Sequence, residues 1–257
     1  MPLERYRRIL RGSAKPRFFH VRSTLQKQAE RLTNIKKCVF CDKKHALPRV
    51  KVKISAANDP TFCNALVLSF GPRGSAKTPA QVAAHISKSY KRGKKTLIIS
   101  GDVAHGLPFL LKFLKKLASP VALVLATDPL YSENAAKVFN RIIDVFVLTL
   151  RWCDPGCAAH FGAENYVEQA QKIVKSSKRE LVVRIPVIPG HIECDAKSSL
   201  EWLAKHAPHA RVQLLHTHKP RALERAPELS RTVTITEFSD AVAYALKLGL
   251  DAEGIAL

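Results

Sequence analysis

From residue 64 onward, short apolar runs alternate with longer amphipathic stretches. The apolar runs are rich in Val, Ile and Leu without polar alternation, which predicts strands buried on both faces. They span residues 65–70, 96–100, 121–126, 143–148, 181–186 and 211–215. A helical pattern follows each run, at residues 79–90, 107–117, 132–140, 163–176, 198–206 and 236–248. Pro79, and Thr236 before Glu237, indicate where two of these helices begin.

Six strand–helix units predict an α/β fold with a parallel sheet, either doubly wound or a partial barrel. A full eight-unit barrel would need a longer chain. Residues 1–63 are basic and show no clear strand–helix alternation. We therefore predict a basic N-terminal segment over residues 1–63 and an α/β domain over residues 64–257.

The composition favours a soluble protein with a sizeable core. Hydrophobic residues make up 46% of the 257 residues, which excludes global disorder. The longest apolar runs have the length of a strand, and the first residues lack the apolar segment of a secretory signal. We expect a cytoplasmic protein without a membrane partner.

Positive charge is the strongest compositional signal. The chain has 42 Lys and Arg against 21 Asp and Glu, a net charge of +21. Residues 1–60 alone hold 16 Lys and Arg against 4 Asp and Glu. Such an excess opposes compaction, and a polyanion relieves it through phosphate contacts and counterion release. A nucleic-acid partner is the favoured interpretation, and a solvated basic surface on a small-metabolite enzyme is the alternative.

The cysteines indicate a metal site near the N-terminus. Cys38 and Cys41 form a Cys-x2-Cys pair, His45 follows, and Cys63 returns after a basic stretch. This pattern predicts a tetrahedral structural zinc, with His45 the least certain ligand. The alternative is that these cysteines pack as small hydrophobic residues. Asn, Gln and Met are scarce, as in heat-adapted proteins. Intracellular disulfides occur in heat-adapted organisms, so Cys153 and Cys157 could pair as one.

The loop after the first strand of the α/β domain nearly matches a phosphate-binding motif. It reads Gly71-Pro-Arg-Gly-Ser-Ala-Lys-Thr78, with Ala76 where the second glycine of G-x4-G-K-[ST] belongs. A β-carbon there keeps backbone N–H groups away from phosphate. We therefore predict a basic loop in which Arg73 and Lys77 contact phosphate less specifically.

Polar residues also follow the later strands, at the end where parallel α/β folds build their sites. No pair among them has a spacing that identifies acid–base partners, so no catalytic residue is predicted. They are Ser100, Gly101, Asp102, Asp128, Arg151, Arg184, His191, Glu193, His216 and His218.

Several segments resemble the radical S-adenosylmethionine (SAM) superfamily, in particular proteins similar to the pyruvate formate-lyase activating enzyme of archaea and bacteria. The most specific is residues 181–203, LVVRIPVIPGHIECDAKSSLEWL, and residues 99–111, ISGDVAHGLPFLL, resemble the glycine-rich SAM motif. The resemblance implies a partial (βα)6 TIM-like barrel over about residues 64–250. The resemblance also extends to the pattern of Cys38, Cys41, His45 and Cys63, in which His45 stands where the family has its third cysteine.

This chain departs from the family at the cluster loop. The family holds a four-iron cluster with Cys-x3-Cys-x2-Cys after the first barrel strand, whereas residues 69–78 contain no cysteine. Without three thiolates no cluster is held there. The SAM motif is also reduced, because Ser100 and Val103 stand where the family has Gly and Pro, leaving Ser100, Gly101 and Asp102 as its vestige.

We therefore predict a catalytically inactive radical SAM-like protein, without an iron–sulfur cluster, that binds RNA. A ribosomal or ribosome-associated role within a ribonucleoprotein is its most concrete form. Tyr6, Phe18 and Phe19 lie among the basic residues and either stack on bases or anchor the segment on the barrel. The predicted RNA contacts are Arg5, Arg7, Arg8, Arg11, Lys15, Arg17, Arg22, Arg73 and Lys77.

Two alternatives stay open. The first is an enzyme or small-molecule binder that retains the barrel pocket, takes SAM or phosphate, and uses Asp102, Arg184 or His191. The second is a scaffold whose basic segment docks on an acidic protein.

Overall fold

The computed structural model describes residues 3–21, 51–57, 59, 61–62, 64–160, 162–177, 179–216 and 227–256. Within them, nine strands form one sheet. The strands are β1 (Lys51–Ala56), β2 (Ala65–Phe70), β3 (Ser75–Ala76), β4 (Thr96–Gly101), β5 (Ala122–Thr127), β6 (Val145–Thr149), β7 (Glu180–Val187), β8 (Arg211–His216) and β9 (Asp251–Ala256). Their order across the sheet is β3-β1-β2-β4-β5-β6-β7-β8-β9.

Nine α-helices accompany the sheet in the described residues. They are α1 (Glu4–Leu10), α2 (Arg17–Val21), α3 (Pro79–Lys91), α4 (Val103–Lys116), α5 (Glu133–Ile142), α6 (Pro155–His160), α7 (Tyr166–Ser176), α8 (Ser198–His206) and α9 (Ile235–Lys247). A π-helical turn (Ile192–Lys197) precedes α8, and a 3₁₀ turn (Pro227–Ser230) precedes α9. None of these helices has the length and apolar character needed to cross a membrane.

The six predicted strands and the six helices that follow them are confirmed, with small shifts at their ends. The sheet contains more than six parallel strands, however. β2 and β4 to β9 all run parallel to one another. β1 pairs antiparallel with β2 at the edge of this parallel set. The prediction of six units missed β9, because its sequence DAEGIA contains one Ile and no continuous run of Val, Ile and Leu. The parallel sheet therefore has seven strands.

The distribution of buried side chains separates a barrel-like fold from a doubly wound one. Helices α3 to α9 all contribute to a single hydrophobic cluster on one face of the sheet. The second cluster, on the other face, contains strand residues together with Leu3, Tyr6, Ile9 and Phe62. A doubly wound sheet would carry helices of the repeating units on both faces. The arrangement is thus a TIM-like α/β fold with an outer helical layer.

Helix starts follow local capping chemistry. Thr78 caps α3, its hydroxyl accepting from Gln81 N–H, with Pro79 in the first turn. The start of α9 differs from the prediction, because Thr234 rather than Thr236 is the cap. Thr234 and Glu237 form a reciprocal capping box, in which each side chain bonds the other residue's backbone N–H.

Helix α1 covers the inner face of the sheet at the end where the parallel strands begin. The Tyr6 ring is 5% exposed and meets Phe62 edge-to-face, with ring centroids 5.3 Å apart. Its hydroxyl lies 2.8 Å from Oγ1 of Thr96, the first residue of β4. Phe18 is fully buried on the helical side, where α2 packs. The aromatic residues Tyr6 and Phe18 are therefore anchors onto the barrel.

Two carboxylates hold the backbone of this N-terminal segment. Glu180, the first residue of β7, accepts hydrogen bonds from the N–H groups of Arg5 and Tyr6. Asp144, just before β6, accepts from Arg17 N–H and Leu123 N–H, both at 3.0 Å. Burial raises the pKa of Asp144 to about 6, although these hydrogen bonds and the charges of Arg5 and Arg17 partly oppose the shift. Carboxylates at the end of the sheet where the parallel strands begin thus fix the backbone of Arg5, Tyr6 and Arg17.

Replacing Tyr6 with Ala should lower the free energy of unfolding by about 3 kcal/mol, because it removes a buried aromatic ring from the inner face. Tyr6→Phe, which removes only the hydroxyl contact to Thr96, should cost about 1 kcal/mol. Arg7→Ala, on the exposed side of α1, is the matched control and should change stability by less than about 0.5 kcal/mol. Urea unfolding measures all three, and equal losses for Tyr6→Ala and Arg7→Ala would contradict the anchoring role.

Asp144→Asn should change the pH dependence of stability. Because the folded pKa of Asp144 is raised, protonation favours the folded state, and this contribution is lost as pH rises through about 6. The native protein should therefore lose about 2 kcal/mol relative to Asp144→Asn between about pH 4 and pH 7. Unfolding free energies of the two proteins across this range test it, and parallel curves would show that burial of the charge has no cost.

Candidate functional site

The carboxyl ends of the parallel strands form the rim on which sites are built in such folds. By its resemblance to radical SAM proteins, whose cluster lies in the loop after the first barrel strand, the corresponding position in this chain is the loop after β2. Within that loop, β3 pairs with β1, Ser75 opposite Val52 and Ala76 opposite Lys51. A β-carbon at Gly74 would lie 2.6 Å from backbone atoms of Val52. The loop is therefore committed to an edge strand and to the cap of α3.

An iron–sulfur cluster does not fit this loop. Residues 71–78 carry no thiolate, and Arg73 and Lys77 are exposed there. A cluster of this type needs three cysteines from the chain. Elsewhere on the described rim, two thiols, those of Cys157 and Cys194, come together.

The three residues predicted as the vestige of the SAM motif have structural partners. Ser100 Oγ lies 2.8 Å from Ser69 Oγ on the neighbouring strand. Gly101 has φ +79°, and a β-carbon there would lie 2.1 Å from the Phe70 carbonyl oxygen. Asp102 caps α4, accepting from His105 N–H, and its carboxylate also meets His105 Nδ1 at 2.7 Å. These contacts account for the three residues without a ligand.

Four potential metal ligands come together at the rim beyond β6 and β7. Cys157 lies on α6, in the connection after β6, and His191, Cys194 and Asp195 lie at the turn after β7. Because β6 and β7 are adjacent parallel strands, their following loops meet at one edge. One ligand atom from each of the four residues lies within 4.8 Å of the others.

The sulfur and nitrogen atoms of this group are in contact. Cys157 Sγ lies 3.3 Å from Cys194 Sγ and 3.4 Å from His191 Nδ1. Cys194 Sγ lies 3.6 Å from the same nitrogen. Burial, followed by the adjacent Cys194 thiol and the Asp195 charge, raises the pKa of Cys157. Cys153, Cys157 and Cys194 are free thiols in this structure, so a Cys153–Cys157 disulfide is not formed in it.

Asp195 is oriented by the loop that carries Cys157. Its Oδ1 accepts hydrogen bonds from the N–H groups of Cys153 and Asp154, at 3.0 and 3.1 Å. Its Oδ2 is buried, has no hydrogen-bond partner, and lies 3.5 Å from His191 Nδ1. The sequence pointed to His191 as one of the polar rim residues and, in the small-molecule alternative, as one of three residues of the pocket. The available signal for a metal site was the sequence after two adjacent strands: His191, Cys194 and Asp195 follow β7, and Cys157 follows β6.

The remaining predicted rim residues are engaged in other ways. Arg151 pairs with Asp128 at 3.2 Å, and Glu193 pairs with Lys197 at 2.6 Å on the surface. Arg184 projects into the interior, where it pairs with Asp59 at 2.9 Å. His216 Nε2 lies 3.0 Å from the Val233 carbonyl oxygen.

Arg184 belongs to a polar network at the inner face, together with Asp59. Arg184 Nε donates to Gln213 Oε1 at 2.9 Å, and Gln213 Nε2 contacts Thr61 and Glu253. The Asp59–Arg184 pair, Phe62 and side chains of α1 all lie at this inner face.

The predicted zinc ligands Cys38, Cys41, His45 and Cys63 lie outside the described residues, as do Arg22 and His218. The predicted RNA contacts divide between the two ends of the barrel. Arg73 and Lys77 lie at the rim, whereas residues 3–21 of the basic segment lie at the base, the end of the sheet where the parallel strands begin. Arg5 and Arg17 are half-buried against the sheet, and the exposed members of the segment are Arg7, Arg8, Arg11 and Lys15.

A second candidate site is the base itself. The outer helices run antiparallel to the strands, so their last turns lie at this end, and six of them carry exposed cations there. These are Lys88, Lys91, Lys116, Arg141, Lys175, Lys205 and Lys247. Lys95 joins this surface to α1, because its Nζ donates to the Leu10 carbonyl at 3.3 Å.

A groove between α5 and α7 adds to the basic base. It has a volume of about 640 Å³ and is lined by Lys137, Lys172, Lys175 and Arg179, with Glu133 as its one carboxylate. Asn140 and Ser176 supply further polar groups. Arg179 is also close enough to Arg17 to affect it: burial first, and then the charges of Arg179 and Arg5, lower the pKa of Arg17. The groove thus leads from the outer helices to the N-terminal segment.

Comparison with known proteins supports the fold assignment. A radical SAM methyltransferase from Sphaerobacter thermophilus superposes with a TM-score of 0.53 at 9% sequence identity, covering 80% of this chain and 69% of the other. The fold is radical SAM-like. An uncharacterized protein of Methanocaldococcus jannaschii is 21% identical over 178 residues, 67% of this chain. The match spans about half of that relative, 52% of its length. No protein-family model matches the chain.

Gly101→Ala tests whether this glycine is kept for the backbone. The added methyl would clash with the Phe70 carbonyl at a positive φ, so we expect a loss of about 3 kcal/mol or more in unfolding free energy. Gly93→Ala is the matched control, because Gly93 also has a positive φ, +89°, but open space around it. It should cost about 1 kcal/mol. Thermal unfolding compares them, and equal small losses would leave ligand contact as the reason for Gly101.

Proposed function

We propose that this protein is a non-catalytic radical SAM-like barrel that binds RNA through its base. The observation that carries the proposal is the concentration of exposed cations there, on α1, on the last turns of the outer helices and in the α5–α7 groove. A ribosomal or ribosome-associated role is its most concrete form. The lack of thiolates in the loop after β2 supports the non-catalytic part of the proposal.

Local helix electrostatics explains only part of this charge. A cation in the last turn of a helix is stabilised by the helix dipole, which accounts for about one Lys or Arg for each outer helix. The dipole of α1 also favours Arg7 and Arg8 in its last turn and Arg11 just beyond it, but it does not account for Lys15 or Lys95 close by. Glu4 lies 3.6 Å from Arg11, and no further ion pair to this group is seen within the described residues. An uncompensated surface of this kind is what a phosphate backbone neutralises.

The basic segment is positioned for binding by its buried half. Tyr6 and Ile9 face the sheet, while Arg7, Arg8 and Arg11 face solvent on the same helix. The anchoring carboxylates Glu180 and Asp144 bond backbone N–H groups and leave these arginine side chains available. A rigid cationic face lowers the entropy that must be lost when RNA binds. Contacts of this kind provide affinity with little sequence preference.

Arg7→Gln combined with Arg8→Gln should weaken RNA binding and reduce its salt dependence. Each lost phosphate contact lowers the slope of log K against log salt by about 0.9 on a duplex, so the slope should fall by up to about 2. Fluorescence anisotropy with a short labelled RNA duplex, over a series of salt concentrations, measures it. Truncation of residues 1–22 is avoided, because it would also remove the buried Tyr6 and Phe18.

The matched control is Arg73→Gln combined with Lys77→Gln, which removes the same charge from the rim. It should leave the slope unchanged. A slope that falls only in the rim variant would move the interface to the loop after β2, and equal falls in both would mean attraction by net charge alone. Sedimentation of cell extract with and without ribonuclease then tests for a ribosomal partner: the native chain should co-migrate with a subunit until ribonuclease releases it.

A further inference from the structure

The thiols of Cys157 and Cys194, the imidazole of His191 and the carboxylate of Asp195 converge on one point of the rim. They come from two loops that are far apart in sequence and are joined through adjacent strands. Two thiolates, one imidazole and one carboxylate form a donor set that suits a borderline-soft divalent ion such as Zn²⁺. Hard cations such as Mg²⁺ and Ca²⁺ prefer oxygen ligands throughout.

The distances between the donor atoms match the edges of a coordination tetrahedron. With Zn–S of about 2.3 Å and Zn–N of about 2.1 Å, a tetrahedral site has S–S edges of about 3.8 Å and S–N edges of about 3.6 Å. The corresponding separations are 3.3 Å between the two sulfurs, and 3.4 and 3.6 Å from the sulfurs to His191 Nδ1. An ion at the centre requires the atoms to move apart by only a few tenths of an ångström.

Asp195 provides an independent reason for a cation at this point. The residue is 4% exposed, and its Oδ1 is satisfied by the N–H groups of Cys153 and Asp154. Its Oδ2 is buried without a hydrogen-bond partner and lies within ion-pair distance of His191 Nδ1, at 3.5 Å. A buried carboxylate oxygen without a partner is destabilising, and a bound cation removes that cost.

The local backbone explains how one short segment supplies three ligands. His191 lies at the start of the π-helical turn, and Cys194 and Asp195 lie within it. A π-helical turn is wider than an α-helical one and is common at functional sites. The N–H groups of Asp195 and Ala196 both bond the His191 carbonyl oxygen, at 3.0 and 3.3 Å, which closes the turn around the three side chains.

We propose that Cys157, His191, Cys194 and Asp195 bind one Zn²⁺ in a closed, four-coordinate structural site. The ion ties the loop after β6 to the turn after β7. It occupies a different part of the rim from the cluster loop of the fold family, since β4 and β5 lie between β2 and β6 in the sheet. It is also separate from the zinc predicted at Cys38, Cys41, His45 and Cys63.

The test uses the full chain carrying Cys38→Ser and Cys41→Ser, which removes the N-terminal pair of thiolates. After zinc saturation and removal of excess metal, this protein should hold one zinc per chain. Adding Cys157→Ser or Cys194→Ser should abolish that zinc. Asp195→Asn should weaken binding at least about 10-fold, because the amide nitrogen that replaces Oδ2 is not a ligand.

Cys153→Ser is the matched control. Cys153 lies in the same loop, but its thiol is not part of the ligand group, so the variant should keep its zinc. Elemental analysis gives the stoichiometry and competition with a chromophoric chelator gives the affinity. Cobalt substitution adds a readout of geometry: thiolate-to-cobalt bands with the intense visible absorption of a tetrahedral ion are expected.

Three results would overturn the proposal. The first is no zinc in the Cys38→Ser/Cys41→Ser chain at micromolar free metal. The second is equal loss of zinc in Cys153→Ser and Cys157→Ser. The third is a Cys157–Cys194 disulfide in protein purified anaerobically. Circular dichroism checks that each variant is folded, and if Cys157→Ser does not fold, Asp195→Asn and the cobalt spectrum still decide.

Discussion

The structure depends on how the beginning of the parallel sheet is covered. The helices of the strand–helix repeat cover only one face of the seven parallel strands. The other face must be covered by a segment from outside that repeat. Helix α1 does this with Leu3, Tyr6 and Ile9, and it brings a basic sequence into contact with a hydrophobic surface. Buried Asp144 and half-buried Glu180 make this possible, because they accept hydrogen bonds from the N–H groups of the incoming backbone. The same carboxylates place positive side chains next to the sheet and leave the rest of the arginines in solvent. Core packing and surface charge are thus decided by one segment.

The two ends of the barrel have consequently different chemistry. At the base, helix C-termini and α1 present cations that favour a polyanion. At the rim, thiols, an imidazole and a carboxylate collect on two adjacent loops. The loop after β2 carries no cysteine and makes other contacts, since β3 pairs with β1 and Thr78 caps α3. The proposed zinc and the proposed RNA surface are therefore independent of each other in position, and each can fail without affecting the other.

Much of the fold could be predicted from the sequence, because runs of Val, Ile and Leu buried on both faces are unambiguous. β9 escaped, since its hydrophobic content is low and its pairing with β8 is supplied by the sheet. The role of Tyr6 could not be decided, because a buried anchor and a base-stacking residue have the same sequence signature. The rim group was missed for a different reason: Cys157 and Cys194 become neighbours only through the register of β6 and β7. Spacing along the chain can predict ligands close in sequence, such as those expected at Cys38 and Cys41, and carries no information about ligands that strand pairing brings together.

The loss of a cofactor loop does not require the loss of metal chemistry from a barrel. Rim loops of parallel α/β folds vary with little effect on the sheet, because the strands and the outer helices supply most of the buried surface. Here, at the ends of β2 and β4, Gly101 closely approaches Phe70, and Ser69 bonds Ser100. These contacts stabilise the sheet whether or not a ligand binds beside them. A vestigial motif can therefore persist for packing reasons alone, and the residues that depart from packing needs are the better indicators of function. By that criterion the unpartnered Oδ2 of Asp195 and the exposed arginines of α1 indicate function more directly than Ser100, Gly101 or Asp102.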